Sequence, residues 1–262
     1  MPLPWRRLLP ALLALLTLLL ASLSNAASAA TATAAAKALV AVAANFKNTA
    51  DVLAARFEAT SGHEVVLVSG ATGKLYTQIR NGAPFDLFLA ADTERPQLLA
   101  SSGDSPAAPR TYASGRLGLW VRGAHPNPDD PAGSLTGLRR VAIANPSLAP
   151  YGVAAMAVID QLALREHMEG RLAYGENVAQ AYALIAAGAA EGGLIAWSLL
   201  NEGGRSAESW PVPTAWHPAI DQDAVLLNHG AENPAAVAFF DYLYSPAARE
   251  IIRERGYVVP ER

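Results

Sequence analysis

Short, wholly apolar runs alternate with amphipathic stretches along most of this chain, and that alternation is the strongest constraint on its fold. Residues 38–44 contain only Ala, Leu and Val, the pattern of a strand covered on both faces. Residues 49–60 follow with Val52, Leu53 and Phe57 on one stripe, Asp51 in the first turn and Ser61-Gly62 as a stop, which predicts a helix. A second strand is predicted at 64–68, a tight Gly-rich loop at 69–73, a helix over 74–80 and a third strand at 86–90. Strands that alternate with helices imply parallel pairing through crossover helices.

Pro- and Gly-rich residues 103–110 close this first block, and 115–122 reads as one long strand. After a loop at 125–134 the alternation resumes with strands at 140–144, 172–174 and 193–197 and helices over 151–164 and 178–187. Residues 210–227 carry three prolines and broken alternation, which suits a strand crossing between two lobes, and helices over 234–244 and 246–254 end the chain.

A chain of 262 residues allows one large domain or two small ones. Its net charge of −3, with no basic run, argues against a nucleic-acid partner, which demands clustered Lys and Arg. The absence of cysteine excludes disulfides, thiolate metal sites and thiol catalysis. Arg6 and Arg7 precede an apolar run at 8–20, and small residues at 24–26 and 27–29 form A-x-A-like cleavage sites. This reads as a signal peptide over residues 1–29, because a membrane span needs roughly 20 apolar residues. The expectation is a soluble, exported, monomeric protein.

Four junctions bring a strand or loop straight into a helix start through small or neutral polar residues: Ala44-Asn45, Gly70 to Gly73, Ala149 to Gly152 and Asn177-Val178. A helix start offers unpaired N–H groups and a positive dipole end, so each is a potential anion site. Alone, each is also an ordinary α/β junction, with Asn45 a turn residue and Thr72 an N-cap. Two lie in each half of the chain, so in a two-lobed protein all four can converge on one cleft. The Gly70 to Gly73 loop lacks the Gly-Lys-Ser/Thr spacing of a P-loop, and Lys74 reads as a solvent-facing lysine.

Several stretches together carry a resemblance: Val42-Ala-Ala-Asn45-Phe, Val68-Ser-Gly-Ala-Thr72-Gly, Asn81-Gly-Ala-Pro-Phe-Asp86 running on to Ala91-Asp92, Asn145-Pro-Ser-Leu-Ala-Pro-Tyr151-Gly and Gly256-Tyr-Val-Val-Pro260. In these the sequence, from Ala38 to Pro260, resembles the periplasmic molybdate-binding proteins that feed molybdate ABC transporters. The resemblance implies an α/β type II periplasmic binding fold of two lobes, each a mostly parallel sheet flanked by helices, joined by two crossing strands. The lobes are expected at 37–114 with a return segment at 224–262, and at 115–223. It implies capture of molybdate or tungstate, delivery to a membrane permease, and a periplasmic location. Position by position it places the anion contacts on Ala44, Asn45, Ala71, Thr72, Tyr151 and Val178. Asn45 would offer its amide, Thr72 its hydroxyl and N–H, Tyr151 its phenol or N–H, Val178 its N–H. Ala44 replaces a hydroxyl residue of many members, leaving only its backbone to donate, and Ala196 replaces the oxyanion-binding tyrosine of some. Molybdenum enters only as the oxyanion, with no residue ligating the metal, and no cofactor is implied.

A fully deprotonated dianion asks only for donors, whereas hydrogen phosphate also needs an acceptor, and Glu176 is the one acid flanking these loops. Molybdate, tungstate and sulfate are therefore favoured over phosphate, and the same fold binding sulfate or another tetrahedral oxyanion is the alternative. Catalysis is not expected: no Gly-x-Ser-x-Gly occurs, and His63, His125, His167, His217 and His229 are scattered.

Overall fold

The computed structural model describes residues 35–261. The segment expected to be a signal peptide lies outside them. Two five-stranded mixed sheets, each flanked by helices, make the two lobes.

The first sheet has the order β2-β1-β3-β10-β4, with β1 at Lys37–Ala43, β2 at Glu64–Gly70, β3 at Leu87–Leu89, β4 at Arg110–Gly115 and β10 at Ile220–Leu226. Strands β1, β2 and β3 are parallel, and β10 is antiparallel to both its neighbours. Alternation along β1 decides which side each residue joins. Ala38, Val40 and Val42 pack against the helices α1 (Lys47–Ser61), α8 (Pro234–Tyr242) and α9 (Pro246–Glu254). Ala41 packs on the opposite face with Leu75 and Leu99 of α2 (Thr72–Arg80) and α3 (Glu94–Ser101). Both faces are covered, which is why these strands read as unbroken apolar runs.

The second sheet repeats the plan in the order β7-β6-β8-β5-β9, with β5 at Leu117–Val121, β6 at Val141–Ala144, β7 at Leu172–Gly175, β8 at Gly192–Ala196 and β9 at Ser209–Pro211. Here β6, β7 and β8 are parallel and β5 is antiparallel to β8 and β9. Helices α4 (Pro131–Thr136), α5 (Pro150–Gln161), α6 (Val178–Ala186) and α7 (Trp197–Glu202) belong to this half. Its core is built from residues such as Leu119, Trp120, Ile143, Val158, Ile185 and Ile195.

Several boundaries differ from the sequence reading, each for a physical reason. The loop expected at 69–73 shrinks to Ala71, because Ser69 and Gly70 continue the ladder against Val42 and Ala43. The strand expected at 115–122 is β5, shortened to Leu117–Val121, because Gly115 ends the unforeseen strand β4 in the other sheet. The stretch 210–227 is not one crossing strand. It divides into β9, which ends at Pro211, a 3-10 turn at Thr214–Trp216 and β10, with Pro213 and Pro218 in the connections, where no ladder donor is needed. Helices α3, α4 and α7 were not foreseen, α4 falling largely in the loop expected at 125–134. Strand β10 pairs wholly within the first sheet, from Ile220 onward.

In each sheet the parallel strands end at one edge and feed helices. Ala43 is level with Gly70, and Ala144 with Gly175. Ligands of open α/β sheets bind beyond such carboxyl ends.

Candidate anion-binding site

The strand ends of the two halves meet at a small pocket. It is lined by residues 43–45, 70–72, 91, 149–151, 177 and 178. All six residues expected at the site (Ala44, Asn45, Ala71, Thr72, Tyr151 and Val178) are among them and are buried. None of the lining side chains is charged.

Helix starts supply the donors. Thr72 is the first residue of α2, Tyr151 the second of α5 and Val178 the first of α6, so their N–H groups have no intrahelical acceptor. The N-cap residues of α2 and α5 are Ala71 and Ala149, whose methyl side chains cannot cap. In α6 the N-cap Asn177 accepts from the Gln180 N–H and leaves the Val178 N–H open. Gly152 lets α5 start this close to its loop: a Cβ there would overlap the Ala144 carbonyl oxygen and lie 2.7 Å from Pro146 N.

The side chains refine the expected roles. Thr72 is not an N-cap; its Oγ1 accepts from the Ala91 N–H at 3.3 Å, which leaves its single hydroxyl proton to donate. The Ala44 N–H donates to Gly70 O at 3.0 Å, so the donation expected from that backbone is already spent within the lobe. The amide of Asn45 is likewise committed, its Nδ2 donating to Gln222 Oε1 at 2.9 Å and to the Tyr257 hydroxyl at 3.2 Å. What remains to Asn45 is its backbone N–H, which donates to no described residue. Ala196 is fully buried as the N-cap of α7 and does not line the pocket.

The phenol of Tyr151 turns toward the strands that join the lobes. A Cβ on Gly115 would overlap its hydroxyl, and that hydroxyl is sealed from solvent. Burial pushes its pKa well above the ordinary tyrosine value, with Tyr257 adding to the shift and the Gln222 and Asn45 side chains opposing it. The phenol therefore stays protonated at any physiological pH.

Contacts across the cleft close over the pocket. The Gly73 N–H donates to Leu148 O at 2.9 Å, and Lys74 Nζ, expected to face solvent, meets Glu176 Oε2 at 2.6 Å. On another side of the cleft, Glu202 of α7 accepts from Asn48 Nδ2 at 2.8 Å and from the Thr49 hydroxyl at 3.1 Å.

The two carboxylates of the Asp86 to Asp92 stretch have structural partners. Asp86 accepts from Leu39 N at 2.7 Å and from Asn233 Nδ2 at 3.2 Å, and its other oxygen lies 2.7 Å from His229 Nδ1. Asp92 is paired with Arg95. Among the described residues there is no cluster of His, Cys, Asp and Glu able to hold a metal ion.

Sequence reasoning missed the layer behind Asn45, made of Gln222, Tyr257 and Tyr112. Tyr257 lies in the closing Gly-Tyr-Val-Val-Pro stretch, but Gln222 is 177 positions from its partner and no local pattern marks it.

The family model for the bacterial extracellular solute-binding proteins matches residues 38–258. The chain is 43% identical to the molybdate-binding protein ModA of Azotobacter vinelandii over 224 residues, covering 83% of this chain and 88% of the relative. Identity is 45% to the molybdate-binding protein ModA of Rhodobacter capsulatus over 223 residues, covering 83% and 86%. The solved structure of the Azotobacter vinelandii periplasmic molybdate-binding protein superposes with a TM-score of 0.78 at 35% identity, covering 86% of this chain and all of that one. With its paired mixed sheets and its pocket between strand ends, the chain belongs to the bacterial extracellular solute-binding proteins, in the family that includes these molybdate-binding relatives.

Proposed function

We propose that this protein captures molybdate, with tungstate as an equivalent ligand, between its two lobes and delivers it to the permease of an ABC transporter. The observation that carries the reading is the donor set: three helix starts and the Asn45 turn converge on a buried pocket lined by no charged side chain. A fully deprotonated tetrahedral dianion accepts at every oxygen and brings no proton to be received. Hydrogen phosphate carries one, and no lining residue is a carboxylate.

In this reading the N–H groups of Asn45, Thr72, Tyr151 and Val178 and the hydroxyl of Thr72 donate to the anion, while Ala44 and Ala71 keep the wall small. Hydrogen bonds to a charged group contribute roughly 1.5–3 kcal/mol each, so about five support micromolar to nanomolar binding after the costs of closure. The preference for molybdate over sulfate rests on the two relatives at 43% and 45% identity. The protein acts outside the cytoplasm as a monomer, exported by residues 1–29, and binds no cofactor. Calorimetric titration with molybdate tests the reading: saturable one-to-one binding supports it, and heats of dilution alone refute it.

A further inference from the structure

Gln222 lies buried where the two lobes are joined. Resting on the capture reading above, we propose that it is a positioning residue for the anion, coupling the Asn45 turn of one lobe to the Tyr151 phenol of the other. Strand β10 shifts register against β4 between Gln222 and Asp223, and an irregularity of this kind re-aims a side chain. Here it sends the amide of Gln222 into the interior, where the residue is fully buried.

Proton accounting fixes which way that amide faces. The single proton of the Tyr257 hydroxyl goes to Asn45 O at 2.7 Å, so at 3.2 Å the same oxygen must accept from Asn45 Nδ2. Asn45 therefore presents its donor to Gln222, and the atom of Gln222 2.9 Å away is the acceptor Oε1. The Tyr112 hydroxyl, which donates to Ala90 O at 2.9 Å, lies 3.1 Å from the same Oε1. The donor Nε2 is left pointing away from this cluster.

There it meets the other lobe. Gln222 Nε2 and the Tyr151 hydroxyl are both buried and both without a hydrogen-bond partner, a pairing that native interiors rarely leave. A Cβ on Gly115 would overlap the Tyr151 hydroxyl and lie 2.8 Å from Gln222 Nε2, so the two groups come together over a residue with no side chain to separate them. Tyr151 rides on α5 and Gln222 on β10, so the meeting belongs to the closed arrangement. Closure is then read on both sides of the pocket: the Tyr151 N–H donates to the anion while its phenol docks on Gln222, and Gln222 holds the turn that presents the Asn45 N–H.

The test is a double-mutant cycle with Gln222→Met, Tyr151→Phe and the two combined, each titrated with molybdate beside the wild type, with the ligand-free thermal midpoint recorded for all four. Each single substitution is expected to weaken molybdate binding about tenfold, the effect of one lost hydrogen bond. The double variant is expected to be no weaker than the weaker single one, because both remove the same contact. Multiplied losses, about a hundredfold in the double variant, would overturn the coupling. So would a Gln222→Met variant whose thermal midpoint falls while its molybdate affinity stays at the wild-type value. If the wild type itself binds no molybdate, the capture reading falls and this inference with it; wild-type binding with uncoupled variants removes only the inference.

Discussion

Replacing Thr72 by valine isolates one hydroxyl in the proposed anion pocket. Valine keeps the shape and the β-branch but has no oxygen. In the structure the Thr72 oxygen accepts from the Ala91 N–H, and the residue is almost fully buried, so the free proton has only the pocket to serve. Losing a hydrogen bond to a charged partner removes roughly 1.5–3 kcal/mol, which is roughly ten- to 150-fold in the dissociation constant. The substitution also strands the Ala91 N–H in the free protein, at a cost of about 1–3 kcal/mol of stability. Calorimetry and thermal unfolding on the same samples separate the two effects. Thr72→Ser restores both the acceptor and the donor and is expected to bind within about threefold of the wild type, the size of a packing change of under 1 kcal/mol. Wild-type affinity in Thr72→Val would refute the reasoning, since a hydroxyl that donates to the anion cannot be removed without loss.

Other expectations follow from single contacts. Lys74→Ala should weaken molybdate binding by no more than about fivefold, with the difference vanishing in high salt, because the Lys74–Glu176 pair is half exposed; stopped-flow release rates at two ionic strengths check this. Gly152→Ala should lower the thermal midpoint and abolish molybdate binding, because its Cβ would meet the backbone of Ala144, Asn145 and Pro146, and a backbone neighbour cannot rotate away. Burial raises the carboxyl pKa of Asp223, with Thr111 opposing and Asp221 and Asp92 reinforcing the shift. Its charged form is thus penalised in the folded protein at neutral pH, and the penalty fades as pH falls through the raised value toward the ordinary 3.8. Asp223→Asn should therefore unfold at a higher temperature than wild type at neutral pH, with the gap closing in acid. Molybdate affinity itself should stay flat between about pH 6 and about pH 10, since the pocket lining holds no acid, lysine or histidine and the Tyr151 phenol is held protonated.

The alternation of apolar runs and helices was enough to place most strands, because strands buried on both faces have no polar positions to confuse the pattern. Where it failed, tertiary pairing decided. Nothing local tells Gly115 from Leu117, yet they belong to different sheets. The short helix at Trp197–Glu202 carries no capping residue, since its N-cap is Ala196. The six residues expected at the site line one pocket, because strand-to-helix junctions announce themselves through small residues. The Ala44 N–H and the Asn45 amide, expected to donate there, are satisfied by Gly70 and by Gln222. Which N–H remains free is a property of pairing, and the partners lie far away in the chain.

The central claim is that the uncharged pocket selects a fully deprotonated tetrahedral oxyanion, and the direct test is calorimetric titration with molybdate, tungstate, sulfate and phosphate at matched ionic strength. Tight one-to-one binding of molybdate and tungstate, much weaker binding of sulfate and none of phosphate are expected. Phosphate bound as tightly as molybdate, or no binding by any of the four, would contradict it.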